Sequence, residues 1–120
     1  MNQTEFKNKL NRKINNKDSH LDNDIIDECH NRYLNYHKVV NEDEILVIPM
    51  EEMAELTQHL SKILRKKENK DNIGLLEELA DVQICIDNLK KYFEIDEEIF
   101  KYAMDVKFER IYEKIKKGTA

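Results

Sequence analysis

At 120 residues, with 40% apolar and 38% charged side chains, the chain has room for one domain with one modest core. Two glycines and one proline exclude a turn-rich all-β fold and point to long helices with short connections. A net charge of −5 argues against nucleic acid polymers as the main partner, and no apolar run is long enough to span a membrane.

The N-terminus lacks the apolar core of a signal peptide. Cys29 and Cys85 lie in helical patterns without metal-ligand spacing, so they read as buried free thiols of a cytoplasmic protein. Residues 1–21 form a polar, basic N-terminal arm, and residues 22–120 the helical domain. In the arm, Phe6, Leu10 and Ile14 recur every four residues. That stripe is one residue wide and would make a marginal helix by itself. The arm reads as a solvated helix or as a basic segment touching phosphates or a partner.

A helix is predicted from residue 22 to about residue 38, capped by Asp22, with Ile25, Ile26, Cys29, Tyr33 and Tyr36 on its apolar face. Asp27 and His30 have the spacing of a metal-ligand pair, which is also ordinary for surface charges. Tyr33, Tyr36 and His37 are expected in core or interface packing, or stacked on a base.

A central helix is expected from Asn41, with Asn41 and Glu44 as a capping box. Ile45 to Ile48 are continuously apolar. Pro49 should kink this helix or mark its first turn. The apolar stripe resumes at Met50 and Met53 and runs to Leu64, and Arg65, Lys66 and Lys67 complement the C-terminal end. Residues 68–72 are a short polar turn, with Asp71 or Asn72 able to cap the next helix. So short a link makes that helix an antiparallel neighbour. Its stripe is Leu75, Leu76, Leu79, Val82, Ile86 and Leu89. The last helix is predicted from about Asp96 to Lys116, with Ile99, Phe100, Ala103, Val106, Ile111 and Ile115 facing a core. Lys107 and Arg110 stand three apart on it, as solvated charges or phosphate ligands.

Two acidic runs carry the chemistry: Glu51-Glu52-Met53-Ala54-Glu55 and Glu77-Glu78-Leu79-Ala80-Asp81. Glu52 with Glu55, and Glu78 with Asp81, are three apart and share a helix face. Like charges so placed repel, and a divalent cation converts that cost into binding, because hard cations take carboxylate oxygens. In an antiparallel pair the two runs lie at similar distances from the turn, offset by about 7 Å. Four carboxylates are thus expected to converge.

These runs resemble the motif of the all-α nucleoside triphosphate pyrophosphohydrolases, the MazG-like group, in its short phage-type form. That motif is E-E-x-x-E on one helix and E-x-x-D on the next, matched here by Glu51, Glu52 and Glu55 and by Glu78 and Asp81. The resemblance covers residues 42 to about 116 and says nothing before residue 22. It implies an antiparallel four-helix bundle-like fold, assembled as a homodimer or homotetramer with sites near subunit interfaces. It implies Mg²⁺, or Mn²⁺, on Glu52, Glu55, Glu78 and Asp81. Glu51 and Glu52 match the acids that serve catalysis, Glu51 as an additional acid that either holds a water in the metal's outer sphere or helps activate the nucleophile. Lys107 matches a phosphate-binding lysine, with Arg110 beside it, while Ile111 stands where the family has an asparagine. The reaction implied is hydrolysis of a ribo- or deoxyribonucleoside triphosphate to the monophosphate and pyrophosphate.

Three other readings compete. A di-iron carboxylate bundle needs Glu-x-x-His pairs, and Glu55 and Asp81 occupy the histidine positions. A catalytically inactive helical binding or regulatory module would keep the fold, with or without the metal. A structural helical oligomer with solvated acidic faces would tolerate Glu78→Gln and Asp81→Asn.

Overall fold

The computed structural model describes residues 1–66 and 73–118. Among them the protein is all-α, with no strand and five helices: α1 (Gln3–Asn16), α2 (Asn23–Val40), α3 (Glu44–Lys66), α4 (Ile73–Tyr92) and α5 (Glu97–Lys116). No helix of the described residues is long and apolar enough to cross a membrane. The chain divides into two compact units, Met1–Leu89 and Lys90–Ala120, and each is described by itself.

Local chemistry sets most helix ends. Asn2, Asp22 and Asp96 are N-caps, their side-chain oxygens accepting the N–H groups of Glu5, Ile25 and Ile99 at 2.8, 3.0 and 3.0 Å. Each satisfies one donor that the first helical turn leaves unpaired. α1 and α4 end in the same double-bonded closure. Asp18 and Ile95 N–H return to the Lys13 and Lys90 carbonyls, and Lys17 and Glu94 N–H to those of Ile14 and Lys91. This closure needs a left-handed residue, usually glycine. Here Lys17 (φ 51°) and Glu94 (φ 52°) take that conformation.

Two sequence expectations are corrected in the first unit. The central helix starts at Glu44 and not at Asn41. Asn41 has extended backbone and closes α2, its N–H donating to the His37 carbonyl. Its side chain accepts from Asp43 N–H at 3.2 Å, so it holds a turn and forms no capping box with Glu44. The other correction concerns the cysteines: Cys85 is buried, but Cys29 is exposed. Pro49 is buried inside α3, which continues through it. Lacking an N–H, Pro49 cannot bond the Ile45 carbonyl one turn back. The expected turn at 68–72, its caps Asp71 and Asn72, and Lys67 lie outside the described residues.

In the first unit Leu34, Ile45 and Cys85 are the buried hydrophobic residues, joined by buried His30 and Asn88. His30 Nδ1 donates to Asn88 Oδ1 at 2.5 Å and ties α2 to α4. An amide oxygen only accepts, so the proton sits on Nδ1. Phe6 and Leu10 are half-buried on one side of α1, the short helix that the four-residue stripe of the arm allows.

Two close approaches fix how α3 and α4 run. A Cβ placed on Gly74 would lie 2.5 Å from His59 Cε1, and Glu78 meets Glu55 within 4.8 Å. Four residues back along α3 match four residues forward along α4, which is the antiparallel pairing expected.

In the second unit, Lys90 Nζ pairs with Glu97 at 2.9 Å and stands 4.1 Å from the centre of the Phe100 ring. Lys90 thereby clamps the start of α5. The row expected to face a core is open instead: every residue of α5 except Phe100 is exposed, Ile99 to 66%.

Candidate metal centre and adjoining cavity

The geometry of α3 and α4 brings three of the sequence-predicted ligands together. Glu52, Glu55 and Glu78 each offer a carboxylate oxygen, and these oxygens lie within 4.8 Å of one another. Glu52 and Glu55 share a face of α3 because they are three residues apart. Glu78 is brought against them by the antiparallel pairing. Glu52 and Glu78 are half-buried and Glu55 is exposed, so the cluster opens to solvent on one side.

Glu52 Oε2 and Glu78 Oε2 are buried, and neither has a hydrogen-bond donor among the described residues. A buried acceptor left unpaired is costly, and a charged one more so. The electrostatics register this cost. Burial, then the charges of Glu55, Asp81 and Glu78, push the Glu52 carboxyl up to about 7 from an ordinary 4.5. Burial, then Glu55, Asp81 and Glu77, raise Glu78, which His59 partly offsets. Asp81 is raised by burial and then by Glu55. All three shifts have the same origin: negative charge crowded where water is scarce.

This donor set suits a hard divalent cation. Its oxygens are all carboxylate, two are undonated and buried, and their crowding is relieved by positive charge. The cluster can hold a metal ion; its donors exclude a soft-metal preference without selecting one hard cation.

The remaining expected site residues fall in three places. Asp81 is outside the three-oxygen group and lines the neighbouring cavity with Glu52. Glu51 precedes Glu52 on α3, is exposed, and is not in the three-oxygen group. Lys107 and Arg110 are exposed on α5, in the second unit. His30, of the weaker Asp27–His30 pair, is engaged with Asn88 and is not in the carboxylate group. The rings of Tyr33 and Tyr36 both pack edge-on against His37, at 4.5 and 5.1 Å between centroids.

A cavity of about 560 Å³ adjoins the carboxylates. Ile26, Tyr33, Ile48 and Ile84 give it apolar walls, and His30 and Asn88 stand at its polar side. Burial, then the charges of Glu52 and Asp81, push the Cys85 thiol up in its wall, which works against the thiolate form. Tyr33 is likewise raised, by burial first and then by Cys85, Glu44 and Glu52.

Sequence reading missed two elements of this region, the His30–Asn88 bond and the seat of His59 over Gly74. Asn88 in an otherwise apolar stripe was the available signal for the first, since a buried amide requires a partner. Gly74 inside a helix was the signal for the second, since a helical glycine often marks close approach.

Compared with known protein families, with curated proteins and with solved structures, the chain gives no match.

Proposed function

We propose that this protein is a divalent-metal-dependent nucleoside triphosphate pyrophosphohydrolase of the MazG-like kind. The observation that carries the reading is the meeting of Glu52, Glu55 and Glu78, with two buried and undonated oxygens, beside a cavity large enough for a base. In this reading Glu52, Glu55 and Glu78 hold Mg²⁺, and Asp81 completes the acidic wall toward the cavity. A bound Mg²⁺ supplies neutralisation of phosphate charge and a lowered pKa for bound water.

The chain's own groups do the rest. The apolar cavity walls seat the base and exclude water around it. The acids would hold the cation at the cavity mouth, where it would meet the α-phosphate, and would repel a triphosphate without it. Glu51, exposed and preceding Glu52 on α3, takes the proton of the attacking water. The water oxygen bonds to the α-phosphorus as the bond to the bridging oxygen breaks, and pyrophosphate leaves in line.

We also propose a homo-oligomer, a dimer or tetramer. Only Leu34, Ile45 and Cys85 are buried hydrophobic residues among the described ones, while Ile99, Val106, Ile111 and Ile115 stay exposed on α5. Such rows are ordinarily covered by a partner. Sedimentation at several concentrations tests this, and a monomer throughout defeats it.

The activity is tested by incubating the protein with a panel of ribo- and deoxyribonucleoside triphosphates, with Mg²⁺ and with EDTA. Pyrophosphate release that needs Mg²⁺ and falls more than about 100-fold in Glu55→Gln is expected. Lys107→Ala and Arg110→Ala in the same assay test the phosphate role that the resemblance gives those residues. A folded protein that binds Mg²⁺ and turns over no triphosphate favours the inactive binding module instead.

A further inference from the structure

We propose that the N-terminal segment is a working wall of the ligand site: Gln3, with His59, meets the distal phosphates of a nucleoside triphosphate, and Leu21 covers its base. This rests on the site reading above.

Three levels lie along the paired helices α3 and α4. Ile48 and Cys85 line the cavity at one end. Glu55 and Glu78 meet in the middle. His59 sits over Gly74 at the other end, where a Cβ on Gly74 would also lie 3.5 Å from Gln3 Nε2. From Cys85 to Gly74 the helix rises about 16 Å, comparable to an extended nucleoside triphosphate. A ligand with its base in the cavity and its α-phosphate at the carboxylates therefore carries its outer phosphates toward His59 and Gln3.

Those two side chains suit that end. Imidazole in either tautomer and a primary amide both offer an N–H to a phosphate oxygen. Neither makes a hydrogen bond among the described residues, and neither satisfies Glu78, whose Oε2 lacks a donor. The absence of a side chain at Gly74 is what lets the His59 ring lie there.

The same segment reaches the cavity. Gln3 stands at the Gly74 end and Leu21 at the cavity end, so the segment that contains α1, a helix of about 21 Å, runs from one level to the other. Leu21, just beyond it, lines the cavity beside Glu52 and Asp81 although 57% of it is open to solvent. A base in the cavity would cover it.

The test is calorimetric binding, with Mg²⁺, of an α,β-methylene triphosphate analogue and of the matching monophosphate to the full chain and its variants. Circular dichroism melts confirm folding. Gln3→Ala and His59→Ala are expected to weaken the analogue about tenfold each and leave the monophosphate unchanged, since a hydrogen bond to a charged group is lost. His59→Gln, which keeps a donor, restores most of the affinity. Leu21→Ser is expected to weaken both ligands equally. Unchanged analogue binding in the Gln3 and His59 variants, or equal loss of the monophosphate, overturns the inference. If the wild type binds the analogue with this pattern but hydrolyses nothing, the reaction falls and the ligand site stands. If it hydrolyses triphosphates while the variants keep its KM, the reaction stands and the N-terminal wall falls. A wild type that binds no nucleotide overturns both.

Discussion

Glu55 of α3 and Glu78 of α4 bring carboxylate oxygens within 4.8 Å across two antiparallel helices, and one Glu78 oxygen is buried with no donor among the described residues. Without a cation, this arrangement works against the fold. The repulsion is greatest where Glu52 joins the pair, and it supplies a pH signature.

The Glu52 carboxyl titrates at about 7 in the folded chain against an ordinary 4.5. The folded protein thus holds this proton more tightly than the unfolded chain. Its contribution to stability is full below about pH 4.5 and is lost as pH rises through about 7, on the order of 2 kcal/mol for a half-buried group. Melting midpoints in EDTA are expected to fall across this window, and Glu52→Gln to flatten the fall. Mg²⁺ should restore the wild type above about pH 7 and leave Glu52→Gln nearly unmoved. Equal pH slopes for wild type and variant would defeat the prediction.

Asn88 and His30 satisfy one another in a buried setting. Asn88→Leu leaves the imidazole Nδ1–H without its acceptor and should cost about 1–3 kcal/mol. Removing both partners, in a His30→Leu and Asn88→Leu double variant, should cost less than the two single changes added together. Urea unfolding of the four proteins measures the coupling; simple additivity would mean that the bond contributes little.

Alanine normally stabilises a helix relative to glycine by about 1 kcal/mol. At Gly74 the reverse is expected, because the new Cβ would lie 2.5 Å from His59 Cε1. Gly74→Ala should therefore lower the melting midpoint in the wild type and raise it in a His59→Ala background. A gain in both backgrounds would show that the imidazole moves aside without cost.

Glu94 holds a left-handed conformation, φ 52°, in the closure of α4. Glycine adopts it without the Cβ clash that costs other residues about 1 kcal/mol. Glu94→Gly is expected to raise stability by up to about 1 kcal/mol in thermal melts, with the helical circular dichroism signal unchanged.

Features that depend on neighbours in sequence were legible from the sequence. The all-α class, the cap Asp22, the start of the last helix near Asp96, and the pairing of Glu52 with Glu55 on one face follow from local patterns of three and four residues. These are determined within a turn or two of helix, wherever that helix packs. The start of α3 was misread for a related reason. Asn41 suits a helix start as well as a turn, and the end of α2 against it decided between them.

Tertiary structure alone decided the rest. The close register of Glu55 on Glu78, which the sequence placed only to within about 7 Å, the burial of two carboxylate oxygens, and the bond between His30 and Asn88, 58 residues apart, depend on which helix faces are pressed together. So does the exposure of Cys29, whose place in a helical pattern is shared by buried and open positions. The placement of α1 belongs here too: its stripe is too narrow to specify a partner, and only packing set Gln3 beside Gly74. Acid spacing is a property of one helix, whereas the site that the acids form requires two helices held in one register.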